Sequence, residues 1–209
     1  TNRIGIAIQN IVGVSSFKQQ GVLESRKGLL LSIPATLGSI VGAFIAVDIN
    51  EAVFEKAMAV VLVIMLIFVL FNPQKLIKEQ TELTQKKLNW KQFVLFFFIG
   101  IYGGFIHLGI GYFLLASLIL GAGYELVKAN AVKVLIVLVY TPFSLAVFIW
   151  NDMIDYKMGF SLGIGTALGA FIASRVAVKR GAEFVRWVIV IVILLTASHL
   201  FGIINFEQL

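Results

Sequence analysis

Long apolar stretches separated by short charged segments constrain this chain more than any other feature. Seven stretches come close to or exceed the roughly 20 helical residues that cross a hydrocarbon core of about 30 Å. Apolar residues make up 59% of the 209 residues and charged residues 13%, whereas soluble domains have about 45–50% and about 25%. A single water-soluble core is therefore excluded, and the sequence predicts an all-α, polytopic transmembrane helical bundle. The predicted spans are roughly 3–17, 28–47, 53–72, 92–122, 130–150, 158–178 and 184–204.

The charged loops predict which side of the membrane each loop occupies. Twelve Lys and Arg residues lie in one set of loops (17–27, 73–91 and 175–186) and two in the other set (48–56 and 151–157). Because Lys and Arg concentrate in cytoplasmic loops, the first set is predicted to be cytoplasmic and the protein to lie in the cell inner membrane. The net charge of +6 then reflects topology, so we expect membrane lipids, and no nucleic acid, as partners.

The order of basic and acidic loops predicts two inverted repeats. Residues 1–72 and 129–204 share a weak pattern of spans and glycines. In the first copy a basic loop precedes an acidic one, and in the second copy the order is reversed. Copies inserted in opposite orientations have this property. We therefore divide the chain into a first repeat, 1–72, a cytoplasmic linker, 73–91, and a second repeat, 92–209.

The segment 92–122 is unlike the other spans. It is too long for one span without strong tilt, too short for two, and must enter and leave the membrane on the same side. Five of the twelve residues from Gly100 to Gly111 are glycine, and each glycine weakens a helix by about 1 kcal/mol relative to alanine. We expect a broken or re-entrant pair of half-helices that meet at a Gly-rich turn. One long tilted helix, with glycines for close packing, is the alternative.

The glycine-containing motifs resemble those of the sulfite exporter TauE/SafE family of membrane transporters. They are GIYGGF at 100–105, GIGYFLL at 109–115, KANAVK at 128–133 and GTALGA at 165–170. The resemblance covers essentially the whole chain. It implies a secondary transporter, a permease or exporter, that moves sulfite, thiosulfate, an organosulfonate or a similar anion with an ion gradient. Family members usually begin with a Gly-rich segment, so we expect that the sequence is incomplete before Thr1.

The Gly-rich turn supplies the first candidate binding residues. Half-helix N-termini present backbone N–H groups that bind anions without a formal charge, which makes Gly103, Gly104, Gly109 and Gly111 candidates. His107 lies inside the same turn, and it would titrate or donate a hydrogen bond to the substrate. Helix packing for the glycines, and a buried packing role for the histidine, are the alternatives.

Polar residues in the span 130–150 supply further candidate binding residues. Lys133 is a cation within an apolar span, which indicates function, although snorkelling to the interface is the alternative. Asn130 shares its helix face, and Asn2 occupies the matching place in the first copy. Two symmetry-related amides would flank one site, whereas separate helix caps are the alternative. Weaker candidates for lining the site are Thr141, Tyr102 and Tyr140.

Small residues at a spacing of four recur in two other spans. Gly38 and Gly42 form one such stripe, and Gly165 and Gly169 form another. Stripes of this kind are typical of membrane helices that pack closely, so we predict a packing role for both.

The sequence favours transport over catalysis. It contains no cluster with metal-ligand spacing, nucleophile elbow or phosphate-binding loop, so we expect no enzyme, no metal and no cofactor. A non-transporting membrane scaffold, a subunit of a larger complex and an anion channel remain the alternative functions. A cytoplasmic partner protein is also left open.

Overall fold

A computed structural model describes residues 2–50, 52–54, 56–58, 60–61, 89–171 and 191. The described residues form helices and turns, and they include no strand. The all-α prediction is therefore confirmed for this part of the chain. Most of the predicted spans 53–72 and 184–204, and of the linker 73–91, lie outside the described residues.

The chain divides into two compact units. One comprises Thr1–Asp48 and Glu79–Ile172, and the other comprises Ile49–Lys78 and Ala173–Leu209. The helices described in the first unit are α1 (Asn2–Gln19), α2 (Ser25–Asp48), α3 (Trp90–Phe105), α4 (Ile110–Ala116), α5 (Leu126–Trp150) and α6 (156–171). The chain continues from α4 into a π-helical turn, Ser117–Gly121. Of these helices, α2 and α5 are long and apolar enough to cross a membrane.

Residues 90–121 fold back on themselves as a helical hairpin of α3 and α4. The Gln92 side-chain amide, near the start of α3, donates a hydrogen bond of 2.6 Å to the carbonyl of Gly121. Along one straight helix these residues would lie about 44 Å apart. The described part of this segment therefore consists of two helices whose outer ends lie together, and its re-entrant path through a membrane stays a prediction.

Two residues with left-handed backbone make the reversal at the hairpin tip. His107 and Gly109 both have a φ of 67°, a region that glycine adopts freely and that histidine tolerates better than most residues. The Tyr102 hydroxyl donates to the carbonyl of Leu108. Its ring packs edge-on against Phe113, with centroids 5.2 Å apart. These contacts fix the tip to both half-helices.

The hairpin packs on α2 with the two backbones in close contact. A Cβ atom added at Gly38 would meet the carbonyl of Phe97, and one at Gly42 would meet the carbonyl of Ile101. The packing predicted for this stripe is therefore confirmed. Two glycines of α3 face α2 in the same way, Gly100 against Ala35 and Gly104 against Ser39. For the other stripe, Gly165 and Gly169, no described atom lies within 4 Å of an added Cβ, and its packing role stays a prediction.

The leading helices of the two predicted repeats run in opposite directions. The Arg3 guanidinium, at the start of α1, lies 5.3 Å from the ring centroid of Phe148, near the end of α5. Further along, a Cβ atom at Gly13 would lie 2.8 Å from Val134 Cγ1, near the start of α5. Antiparallel leading helices are what an inverted arrangement requires, while the repeat itself stays a prediction.

The basic loop 17–27 lies at the same end of this unit as the base of the hairpin. Lys27 Nζ is 6.0 Å from the ring centroid of Tyr124, just after the hairpin. Gly28 lies against Leu135, near the start of α5. The loop charges predict that these segments share the cytoplasmic side of the membrane, and that side stays a prediction.

Side-chain burial in this unit has the pattern of a protein surrounded by lipid. Most of the buried side chains are apolar, but hydroxyl, amide and guanidinium groups are buried among them, and many large apolar side chains are exposed, which is unusual for a surface in contact with water. The buried polar residues include Arg3, Asn10, Ser32, Ser39, Thr141 and Ser144. The exposed apolar residues include Leu29, Ile33, Leu37, Phe44, Phe98 and Trp150.

The hairpin predicts efficient cross-linking between its two ends. We expect the pair Gln92→Cys and Gly121→Cys to react almost completely with a short bifunctional thiol reagent in membranes, because the native side chain of Gln92 touches Gly121. The sequence contains no cysteine, so no background reaction interferes. The matched control pairs Gln92→Cys with His107→Cys, about 22 Å away along α3. Equal cross-linking of both pairs would contradict the hairpin.

Candidate functional site

A buried arginine connects α1 to the tip of the hairpin. Only 6% of the Arg3 surface is exposed. Its Nη1 donates to the carbonyl of Gly103 at 2.6 Å, and its Nη2 donates to the carbonyl of Gly104 at 2.5 Å. Carbonyl groups in the last turn of a helix have no intrahelical partner and carry the negative end of the helix dipole. Arg3 therefore caps the end of α3.

His107 and Tyr140 complete this cluster. Arg3 Nη1 lies 3.2 Å from His107 Nδ1, and the Tyr140 hydroxyl lies 3.0 Å from the same nitrogen. The guanidinium can only donate, so Nδ1 accepts in its contact with Arg3, whereas its contact with the Gly103 carbonyl at 3.3 Å requires Nδ1 to donate; the two contacts belong to different tautomers of the ring. Tyr140 is fully buried. The hairpin tip is thus connected by polar contacts to both α1 and α5.

The cluster leaves no space for a side chain at Gly103. An added Cβ atom would collide with Ile110 Cδ1 and would lie 3.0 Å from the Tyr140 hydroxyl oxygen. The glycine therefore lets α4 and α5 approach the end of α3. Gly103 therefore has two roles. Its lack of a side chain allows close packing, and its carbonyl accepts a hydrogen bond from Arg3.

A second cation lies beside the start of α4. A Cβ atom added at Gly111 would lie 3.7 Å from both Cδ and Nζ of Lys133. Gly109 is the N-cap of α4, so Gly111 belongs to the first turn, where N–H groups have no carbonyl partner within their own helix. The Lys133 side chain is partly exposed. This arrangement places an ammonium group and a helix N-terminus close together, which favours an anion.

The predicted glycines fall into two groups. Gly109 and Gly111 lie at the start of α4, where donors were expected. At Gly103 and Gly104 the described contacts involve the carbonyl oxygens instead, because these residues lie in the last turn of α3 rather than in a first turn. Gly103 and Gly104 therefore do not present the N–H groups of a helix first turn. Substrate binding by all four glycines stays a prediction.

The other predicted residues lie apart from these clusters in the described contacts. Asn2 is the first residue of α1 and is exposed, whereas Asn130 lies within α5 and is partly buried. Asn130 does not cap α5, whose N-cap is Glu125. The buried Thr141 hydroxyl donates to the Val137 carbonyl of its own helix at 2.6 Å. Substrate binding by Asn2, Asn130 and Thr141 stays a prediction.

Sequence reasoning did not select Arg3. The signal was present, because Arg3 is a cation at the start of the predicted span 3–17, and an ionisable residue within a span indicates function. The same criterion selected Lys133. No group of three or more His, Asp or Glu side chains that could hold a metal ion is found among the described residues.

Comparison with known proteins gives one family and several relatives. Residues 1–200 match the family model described as Sulfite exporter TauE/SafE. A "Probable membrane transporter protein" of Haemophilus influenzae is 27% identical over 157 residues, 74% of this chain and 60% of the relative. "Probable membrane transporter protein ORF9" of Sinorhizobium sp is 23% identical over 186 residues, 88% of this chain and 70% of the relative.

A third relative, "Probable membrane transporter protein YfcA" of Escherichia coli, is 26% identical over 158 residues, 75% of this chain. The chain spans 57% of that relative and 60% of the Haemophilus relative. No solved structure gives a significant match.

Proposed function

The chain belongs to the sulfite exporter TauE/SafE family, and we propose that it is a secondary transporter that moves a small sulfur-containing anion across the cell inner membrane. Sulfite, thiosulfate and organosulfonates are the proposed substrates. The family name and the names of the three relatives support a membrane transporter. The choice of a sulfur anion rests on the family name and on the charge of the site.

The observation that carries the proposal is the broken hairpin with a cation at each half-helix end. Backbone that is unwound within a membrane is tolerated only where protein or a water-filled cavity satisfies its polar groups. Transporters use such discontinuous helices to bind substrates near the middle of the bilayer. The tip at residues 106–109 has this form, since α3 ends and α4 begins there.

The charge of the site favours an anion over a cation. Moving an anion out of water without compensating donors is strongly unfavourable, so the site must supply positive charge or N–H groups. Lys133 and the first turn of α4 supply both. The location in the inner membrane and the cytoplasmic position of the linker 73–91 are part of the proposal, and the loop charges support them.

Flux into proteoliposomes tests the proposal. Purified protein is reconstituted, and uptake of labelled sulfite, thiosulfate and methanesulfonate is measured with and without a proton gradient, with empty liposomes as the control. We expect saturable uptake of at least one of these anions that depends on the gradient. Uptake that does not saturate would indicate a channel. If none of the anions moves above the empty-liposome rate, a scaffold or a subunit of a larger complex becomes the better interpretation.

A further inference from the structure

Arg3 is a buried cation without a carboxylate partner in the described part of the chain. Its partners among the described residues are two carbonyl oxygens, a histidine nitrogen and an aromatic ring. The ion pairs described elsewhere, Lys27 with Glu24 and Lys128 with Glu125, lie near the start of α2 and the start of α5. Burying a charge is favourable only when it is paired and its hydrogen bonds are satisfied. Dipoles alone leave the positive charge of Arg3 uncompensated.

The Arg3 guanidinium also has more N–H donors than its described contacts use. It carries five N–H groups in a planar fork, and the described contacts involve three atoms, namely two carbonyl oxygens and His107 Nδ1. A planar fork binds an oxyanion through two parallel hydrogen bonds, a geometry that Lys cannot provide. A small oxyanion at the hairpin tip would therefore supply both the missing charge and the missing acceptors.

We infer that Arg3 binds the transported anion directly and that the anion takes the place of His107 as a partner of the guanidinium. This inference rests on the proposed function, because it adds Arg3 to Lys133 as a residue that neutralises the charge of the substrate. In the empty site Arg3 caps α3 and contacts His107. In the loaded site the oxyanion accepts hydrogen bonds from Arg3, and the contact between Arg3 and the hairpin tip loosens.

A purely structural cap is the competing role, and the two roles predict different results. A cap would contribute to stability whether or not an anion is present. A ligand would connect stability to anion concentration, because a molecule that binds only the folded state stabilises it by RT ln(1 + L/Kd), where L is the anion concentration, so that the melting temperature rises as L rises. The melting temperature therefore has to be measured with and without sulfite, beside transport.

The experiment compares wild type, Arg3→Gln, Arg3→Lys and the control Arg26→Gln, an exposed arginine at the start of α2. In Arg3→Gln we expect the half-saturating sulfite concentration for uptake to rise at least about tenfold. The rise in melting temperature on adding sulfite should also disappear. Arg3→Lys should be intermediate, because it keeps the charge and loses the planar fork. The control should behave as wild type in both measurements.

Wild-type half-saturation and a wild-type response to sulfite in folded Arg3→Gln would overturn the inference and leave the proposed transport intact. If Arg3→Gln does not fold, the half-saturating sulfite concentration of Arg3→Lys tests the inference instead. A rise of several-fold in its half-saturating concentration supports the inference, and an unchanged value overturns it. Failure of the wild-type protein to transport any of the three anions would instead contradict the proposed function itself.

Discussion

Replacing Gly38 with alanine is expected to destabilise the protein by about 3 kcal/mol, at the upper end of the range for overpacked cores. The added methyl group would meet the carbonyl of Phe97. Backbone atoms of α3 cannot move aside as a flexible side chain can, so the whole hairpin would have to shift away from α2. We expect Gly42→Ala to have a similar effect against Ile101. The melting temperature of the detergent-purified protein measures both changes.

The matched control for this prediction is Gly165→Ala in α6. It makes the same chemical change in a small-residue stripe, but no described atom lies within 4 Å of the new methyl group. We expect its melting temperature to stay within the error of the wild-type value or to rise slightly, because alanine favours a helix over glycine. Equal destabilisation by Gly38→Ala and Gly165→Ala would contradict a special role for the contact between α2 and α3.

The hairpin could be predicted from the sequence because its determinants are local. Length alone excluded one upright span for the segment 92–122, and the glycines from Gly100 to Gly111 marked where a helix would break. The partner of each glycine could not be predicted. Glycine suits a turn, a close helix contact and an anion site equally well, and only the fold separates Gly109 at the tip from Gly100 against Ala35.

The chemistry at the tip depended on contacts between residues far apart in sequence. Arg3 meets Gly103 and Gly104 across 100 and 101 positions of the chain. From sequence, a cation at the start of a span is expected to snorkel to the interface. Whether it is buried instead depends on how deep the hairpin reaches, which no local pattern encodes. His107 was identified as a candidate, but its contacts with Arg3 and Tyr140 were not.

The two halves of the site differ in how their polar groups are used. At the end of α3 the carbonyl groups already have a cationic partner in Arg3. At the start of α4, Lys133 and the N–H groups of the first turn are both positive, and no carboxylate is paired with Lys133 among the described ion pairs. Neighbouring positive groups repel each other unless an anion lies between them. We therefore expect a bound anion to relieve this repulsion at the start of α4, as it would neutralise Arg3 at the end of α3.

Replacing Lys133 with glutamine should therefore reduce anion uptake by roughly 10- to 100-fold at low substrate, the effect of losing a charged hydrogen bond. The glutamine side chain keeps a donor at nearly the same reach, so packing against Gly111 changes little and the protein should remain folded. Lys128→Gln is the matched control, because Lys128 lies on the same helix, is exposed, and is 3.7 Å from Glu125.

Uptake by Lys128→Gln should equal that of wild type, which separates a local effect from a general loss of positive charge on α5. Lys133→Arg should retain part of the uptake, since it keeps the charge and alters only the shape of the donor group. If Lys133→Gln were as active as wild type while remaining sensitive to the gradient, the anion would have to bind without the ammonium group. Lys133 would then have the snorkelling role that its position near the start of α5 also permits.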